Sequence, residues 1–202
     1  IMKLFHAPNS RSMRIVWLLE ELGLEYELIG FKLGEKAMRE PQYLKLNPMG
    51  RVPTLQDGDV TIFESGAIVE YVLARYGGGR MVPERDSLEF ADYLQWLHYA
   101  EGMIMPQVNI IIVETLFLPE EKRNPTNLAR AQKLLNKSLQ AVETGLQGRD
   151  YLAGEFSGAE FMTGHACVVA ERLGADLSEL PNTKAYVERL KDRPALQKAM
   201  AA

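Results

Sequence analysis

The 202-residue sequence has a single cysteine, Cys167. That excludes a disulfide within the chain and points to a reducing compartment. A basic surplus is also missing. There are 10 basic and 10 acidic residues through Arg80, then 13 basic and 17 acidic, for a net charge of −4. Neither stretch has the positive excess expected of a nucleic-acid or acidic-membrane binder. No apolar run approaches the ~20 residues needed to cross a bilayer. After Lys3 the first apolar run is broken by His6, Pro8 and Asn9, so no signal peptide is expected. Repeats and low-complexity tracts are absent. What remains is the expectation of a soluble cytoplasmic protein, 47% apolar and 25% charged, long enough for one large domain or two small ones.

Two styles of sequence meet near residue 80. The first alternates strand and helix signals. Lys3–Phe5 reads as a strand, and Ile15, Leu18, Leu19 and Leu22 form an i, i+3, i+4, i+7 stripe closed by Gly23. Tyr26–Phe31 reads as the next strand, and so compact a β-α-β order implies a parallel pair. Two short runs around Asp57-Gly58-Asp59 read as a hairpin, followed by a helix marked by Ala67, Ile68, Tyr71 and Val72. GGGRMVPERD, Gly77 to Asp86, reads as linker. Beyond it the periodicity is helical only. Leu88, Ala91, Leu94, Leu97 and Ala100 are expected to line one face of a long helix that Pro106 bends. Further helices are expected over 129–146, from Ser157 and over 182–191, the second opened by a Ser157/Glu160 capping box with a Phe156–Phe161 staple. The expected organisation is an α/β domain over 1–78 and an all-α domain over 87–202, joined by 79–86.

Three stretches are candidates for chemistry. PNSRSMR, Pro8 to Arg14, lies at a strand-to-helix turn. Ser10 or Ser12 there suits an ordinary N-cap, yet free helix-start amides with Arg11 and Arg14 nearby also suit an anion or thiolate. NPMGRVPTL, Asn47 to Leu55, is a turn entering a strand through proline. A cis Val52–Pro53 bond would leave the Val52 N–H and C=O free to pair with an extended peptide. FESGAI, Phe63 to Ile68, sets a carboxylate beside helix-start amides. Glu64 could pair with an ammonium and Ser65 hold a carboxylate, the two ends of an amino-acid zwitterion.

In order and spacing these stretches, with YLAGEFSGAEF further on, resemble the glutathione transferase family along essentially the whole chain. The resemblance implies a thioredoxin-like N-terminal domain, an all-α helical bundle C-terminal domain, and a cis Val52–Pro53 bond. It implies that Arg51, Val52 and Pro53 meet the tripeptide backbone and that Glu64 and Ser65 meet its γ-glutamyl end. Family members hold the glutathione sulfur at the strand-to-helix turn through tyrosine, serine or cysteine. No cysteine precedes residue 167, and Phe5 and His6 stand near where the tyrosine-based subclasses carry theirs. PNSRSMR is similar to the serine-type turn P-G-S-x-P-C-R, which gives Ser10 the catalytic contact, with Ser12 and Asn9 as alternatives.

The implied activity is a cytoplasmic, homodimeric detoxification enzyme. It would conjugate glutathione, as cosubstrate and without a prosthetic group, to an apolar electrophile. Tyr99, Met103, Met105, Gln107, Ile110 and Phe117 lie on the helix that would face the second substrate. Glutathione-dependent peroxide or disulfide reduction, and a non-catalytic glutathione-binding module, are the alternatives. His165 and Cys167 lack further ligands for a metal, and Trp17 and His98 read as packing residues.

Overall fold

The computed structural model describes all residues, 1–202. Its contacts fall into two compact units, Ile1–Met81 with Lys191–Ala202, and Val82–Leu190.

In the first unit, β1 (Met2–His6) is followed by α1 (Met13–Leu22) and β2 (Tyr26–Gly30). Ile15, Leu18, Leu19 and Leu22 are all buried, so the apolar stripe of α1 faces the sheet. Gly23, at φ 68°, closes α1 with the paired bonds of a Schellman motif: its N–H donates to Glu20 and that of Leu24 to Leu19. A short helix, α2 (Pro41–Leu44), precedes the hairpin of β3 (Thr54–Asp57) and β4 (Val60–Phe63), and α3 (Ser65–Tyr76) follows. The strand order is β2-β1-β3-β4, with β1 parallel to β2 and antiparallel to β3. This is the thioredoxin-like order.

The second unit is helical. α4 (Glu89–Tyr99), a π segment (Ala100–Ile104) and α5 (Met105–Ile112) join with a second π segment (Val113–Phe117) into one 29-residue helix, Glu89–Phe117. The first π segment ends where Pro106 lacks its N–H, so the wider turn absorbs the proline that was expected to bend the helix. An 18-residue window of Glu89–Phe117 reaches a mean hydropathy of 1.2, so by length and composition alone the helix could span a bilayer, which the broken-up apolar runs of the sequence did not suggest. Tyr93, Trp96, Leu97, Ala100, Ile104 and Val108 lie at helical spacing along one buried face, but only 33% of the apolar window is buried, and Met103, Val113, Leu116 and Phe117 are 40–68% exposed. Of the stripe read from the sequence, Leu97 and Ala100 are on this face, whereas Leu88 is 90% exposed and Leu94 36%. The two aromatics fill the interior instead, Trp96 packing edge-on against Tyr99. His98 is exposed rather than packed, whereas Trp17 is fully buried.

α6 (Pro125–Gly145) starts at Asn124, whose Oδ1 accepts the N–H groups of Thr126 and Asn127 at 3.1 Å. A π segment (Glu160–Gly164) leads into α7 (His165–Arg172), and α8 (Pro181–Lys191) follows. Periodicity gave no sign of the last helix, α9 (Pro194–Ala201). It packs on α1, with Arg193 Nε and Nη2 on the Glu21 carboxylate at 2.6 and 3.0 Å and Lys198 on Glu20 at 2.7 Å. The terminal segment expected in the helical domain therefore clusters with the sheet, held by carboxylates more than 170 positions away in sequence.

Candidate active site

Strand register brings the three candidate stretches to one edge of the sheet. Phe5 on β1 pairs with Thr54 on β3, which pairs with Phe63 on β4. One step further along this row stand His6, Pro53 and Glu64, where β1 enters the PNSRSMR turn, the proline enters β3, and β4 gives way to α3.

The Val52–Pro53 peptide is cis. Val52 is half-buried, and its N–H and C=O make no hydrogen bond within the chain. The neighbouring carbonyl is fixed from behind. Arg51 C=O accepts from Tyr43 OH at 2.5 Å and from Asn47 Nδ2 at 2.8 Å, and both donors also meet Thr54 Oγ1. Burial raises the Tyr43 phenol above its usual pKa, with the Thr54 bond opposing, so it stays a neutral donor. The Arg51 side chain is exposed.

Glu64 has φ 76° and ψ 111°, a left-handed backbone that a glutamate adopts only at a cost of about 1–3 kcal/mol. Its side chain is exposed and does not cap α3. Ser65, 4% exposed, accepts at Oγ from Nη1 of the fully buried Arg14 at 3.0 Å. Because that oxygen accepts from Arg14, the hydroxyl proton can go to an incoming acceptor. The first amides of α3, Ser65 to Ala67, donate to nothing in the chain. An exposed carboxylate, a hydroxyl aimed by a cation and free helix-start amides together suit an ammonium and a carboxylate on one small molecule.

At the first turn the three candidates separate. Ser12 is fully buried, with Oγ 3.1 Å from Ala7 N, 2.8 Å from His6 Nδ1 and 2.6 Å from Ser10 Oγ. It occupies the N-cap position of α1 without a side-chain capping bond. Ser10 is half-buried, its Oγ 2.7 Å from Ala7 O and 3.2 Å from Ser12 N. Asn9 is exposed with φ 59°, a conformation asparagine tolerates better than most residues. Ser12 thus belongs to the frame, and Ser10 and Asn9 to the surface of the turn. Burial lowers the pKa of His6, and the Ala202 backbone opposes.

In the second unit, Met103 and Phe117 are 55% and 68% exposed, while Met105 is core. Tyr99 is tied to the Ser138 carbonyl at 3.0 Å, and Gln107 and Ile110 are half-buried. Cys167 is buried, which with the nearby Glu160 pushes its thiol up to about 12 and leaves it inert. Sequence reasoning gave no role to His6, Tyr43, Asn47 or the Arg14–Ser65 bond. Asn47 stood inside a quoted motif but was read only as part of a turn.

Comparison with known proteins yields two family matches: the glutathione S-transferase N-terminal domain over residues 1–74 and the C-terminal domain over residues 104–194. Glutathione S-transferase 4 of Zea mays is 34% identical over 196 residues, covering 92% of this chain and 85% of its own length. Glutathione S-transferase 3 of Schizosaccharomyces pombe is 30% identical over 203 residues, 95% of this chain and 84% of its own. Among solved structures, the glutathione transferase URE2P6 of Phanerochaete chrysosporium, in complex with oxidized glutathione, superimposes with a TM-score of 0.88. It shares 27% identity and covers 99% of this chain and 94% of its own.

Proposed function

The chain belongs to the glutathione S-transferase family, and from that premise we propose that it conjugates the glutathione thiolate to apolar electrophiles. Glutathione serves as cosubstrate. The observation that carries this reading is the row His6, Pro53, Glu64. It brings the PNSRSMR turn, the unpaired Val52 backbone and the open start of α3 side by side in the first unit, which supports reading them as sulfur, peptide and zwitterion contacts. In the proposed complex Val52 pairs its free backbone groups with the tripeptide, flanked by Arg51 and Pro53. Glu64 takes the γ-glutamyl ammonium, and Ser65 with the α3 amides takes the carboxylate. Ser10 donates to the sulfur, favoured over Ser12 by its accessibility and over Asn9 by its hydroxyl at the start of α1.

The electrostatics suffice. A cysteine-type thiol titrates near ~8.5, so only a few per cent is ionised at neutral pH. Lowering that by about two units takes roughly 2.7 kcal/mol of preference for the anion. A charge-assisted hydrogen bond from Ser10 supplies about 1.5–3 kcal/mol, and the α1 N-terminus about 0.3–1 more. No general base is required at the serine; the nucleophile belongs to the cosubstrate. We place the enzyme in the cytoplasm as a homodimer, with an α/β glutathione-binding domain over 1–78.

The purified chain should turn over glutathione with a chloronitrobenzene. Activity only with cumene hydroperoxide would move the assignment to thiol-dependent peroxide reduction. Retention on glutathione resin with neither activity would make the chain a binding module.

A further inference from the structure

We propose that His6 is a positioning residue that, as the neutral Nδ1–H tautomer, directs a chain of hydrogen bonds through Ser12 so that Ser10 presents its proton to the glutathione sulfur. This rests on the reading of Ser10 given above and adds the residues behind it.

The argument is a count of protons. Each serine hydroxyl has one proton and two lone pairs. Ser10 Oγ and Ser12 Oγ are 2.6 Å apart, a distance that requires a proton between them. Ser12 Oγ and His6 Nδ1 are 2.8 Å apart and require another. Three directions satisfy both contacts, but one of them, with Ser10 and His6 Nδ1–H both donating to Ser12, leaves Ser12 no lone pair for the Ala7 N–H at 3.1 Å, so two remain. In the first, Ser10 donates to Ser12 and Ser12 to His6 Nδ1. The Ser10 proton is then locked between two oxygens, and a bound sulfur would face lone pairs. In the second, His6 Nδ1–H donates to Ser12 and Ser12 to Ser10, leaving the Ser10 proton free to point elsewhere.

The second direction also fills every other contact. Ser12 Oγ accepts its second bond from Ala7 N at 3.1 Å, and Ser10 Oγ accepts its second from Ser12 N at 3.2 Å. The freed Ser10 proton has a resting acceptor, the Ala7 carbonyl at 2.7 Å, which a thiolate would replace. The contact of Ser12 with that carbonyl, 3.3 Å, is the longest in the cluster. A hydroxyl that accepts two bonds is polarised into a stronger donor. The far side of the ring agrees. His6 is 2% exposed and its Nε2 makes no hydrogen bond. A buried bare lone pair is easier to tolerate than a buried N–H without an acceptor, which again favours the proton on Nδ1. Burial lowers the basicity of the ring and keeps it neutral. The Ala202 backbone pulls the other way without reaching hydrogen-bond geometry to Nε2.

The test uses the full chain labelled with 15N. Two-bond 15N–1H correlations of the His6 ring should show the proton on Nδ1 near neutral pH; a proton on Nε2 overturns the proposal. Variants supply a second readout, the thiolate absorbance of bound glutathione titrated with pH. His6→Leu should raise the pKa of the bound thiol by roughly half a unit to one unit, a three- to tenfold loss of thiolate at low pH, with glutathione still bound. His6→Asn, which keeps an N–H near the Nδ1 position, should restore it to within about twofold. If both variants titrate like the parent while Ser10→Ala is shifted, His6 has no such role and the Ser10 reading survives. If Ser10→Ala is also unshifted, the reading beneath it fails. Should His6→Leu not fold, the ring tautomer decides.

Discussion

At the start of α3, Glu64 and Ser65 stand at a helix end that stays open; at the start of the helical segment that opens at Glu160, Ser157 and Glu160 close their own. The residue types are the same and the dispositions opposite. Glu160 is fully buried and accepts from Ser157 N at 2.7 Å and from Ser157 Oγ, Leu152 N and Tyr186 OH at 3.1 Å each. Ser157 Oγ accepts from Ala159 N at 3.2 Å, and the Phe156 and Phe161 rings meet edge-on at 5.5 Å. The Ser157, Ala159 and Glu160 amides at that end all have acceptors within the chain. Glu64 by contrast is exposed, sits on a strained backbone and caps nothing. A helix end that satisfies itself holds the fold together; one left open at a cost in backbone strain is available to a ligand.

Breaking the closed end should have the largest effect. Glu160→Ala orphans two amides and the Ser157 and Tyr186 hydroxyls, and should cost about 3–4 kcal/mol of unfolding free energy in a urea titration. Glutathione affinity should hardly change in the molecules that remain folded. Burial also raises the Glu160 carboxyl from 4.5 to about 7, its hydrogen bonds opposing. Between those values the folded chain holds more protons than the unfolded one, so its contribution is present below pH 4.5 and is lost as pH rises toward 7. Subtracting the stability profile of Glu160→Gln from that of the parent should isolate this fall; a flat difference would contradict it.

Breaking the open end should leave stability alone and weaken binding. Glu64→Ala removes the partner proposed for the ammonium, worth about 1.5–3 kcal/mol, or roughly a 10- to 100-fold rise in the glutathione Kd by calorimetry. Glu64→Gly sharpens the contrast. It should weaken binding similarly yet gain about 1 kcal/mol of stability, because glycine adopts φ 76° without strain.

The same contrast marks what the sequence could convey. The Ser157/Glu160 box and the Phe156/Phe161 pair span six residues, so their spacing was a sufficient signal. The β-α-β order and the Gly23 stop were equally local. Arg14 reaches Ser65 across 51 positions and Arg193 reaches Glu21 across 172, and no local pattern encodes either. α9 was missed because eight residues beginning at Pro194 are too few for periodicity to stand out, although proline at a first helical turn was a usable sign. The stripe read from the sequence matches the buried face of the long helix only at Leu97 and Ala100, because Tyr93 and Trp96 fill the interior in place of Leu88 and Leu94. At the candidate site the motifs named the residues proposed to meet the ligand, whereas their supports, His6, Tyr43 and Asn47, emerged only from the folded geometry.

The central claim is that the first unit binds glutathione and keeps its sulfur ionised through Ser10. It is tested most directly by titrating the ultraviolet thiolate absorbance of glutathione bound to the parent chain and to Ser10→Ala. The bound thiol should ionise about two units below free glutathione in the parent and return most of the way in the variant. Identical titrations in the two proteins, or ionisation at the free-thiol value in the parent, would contradict the account.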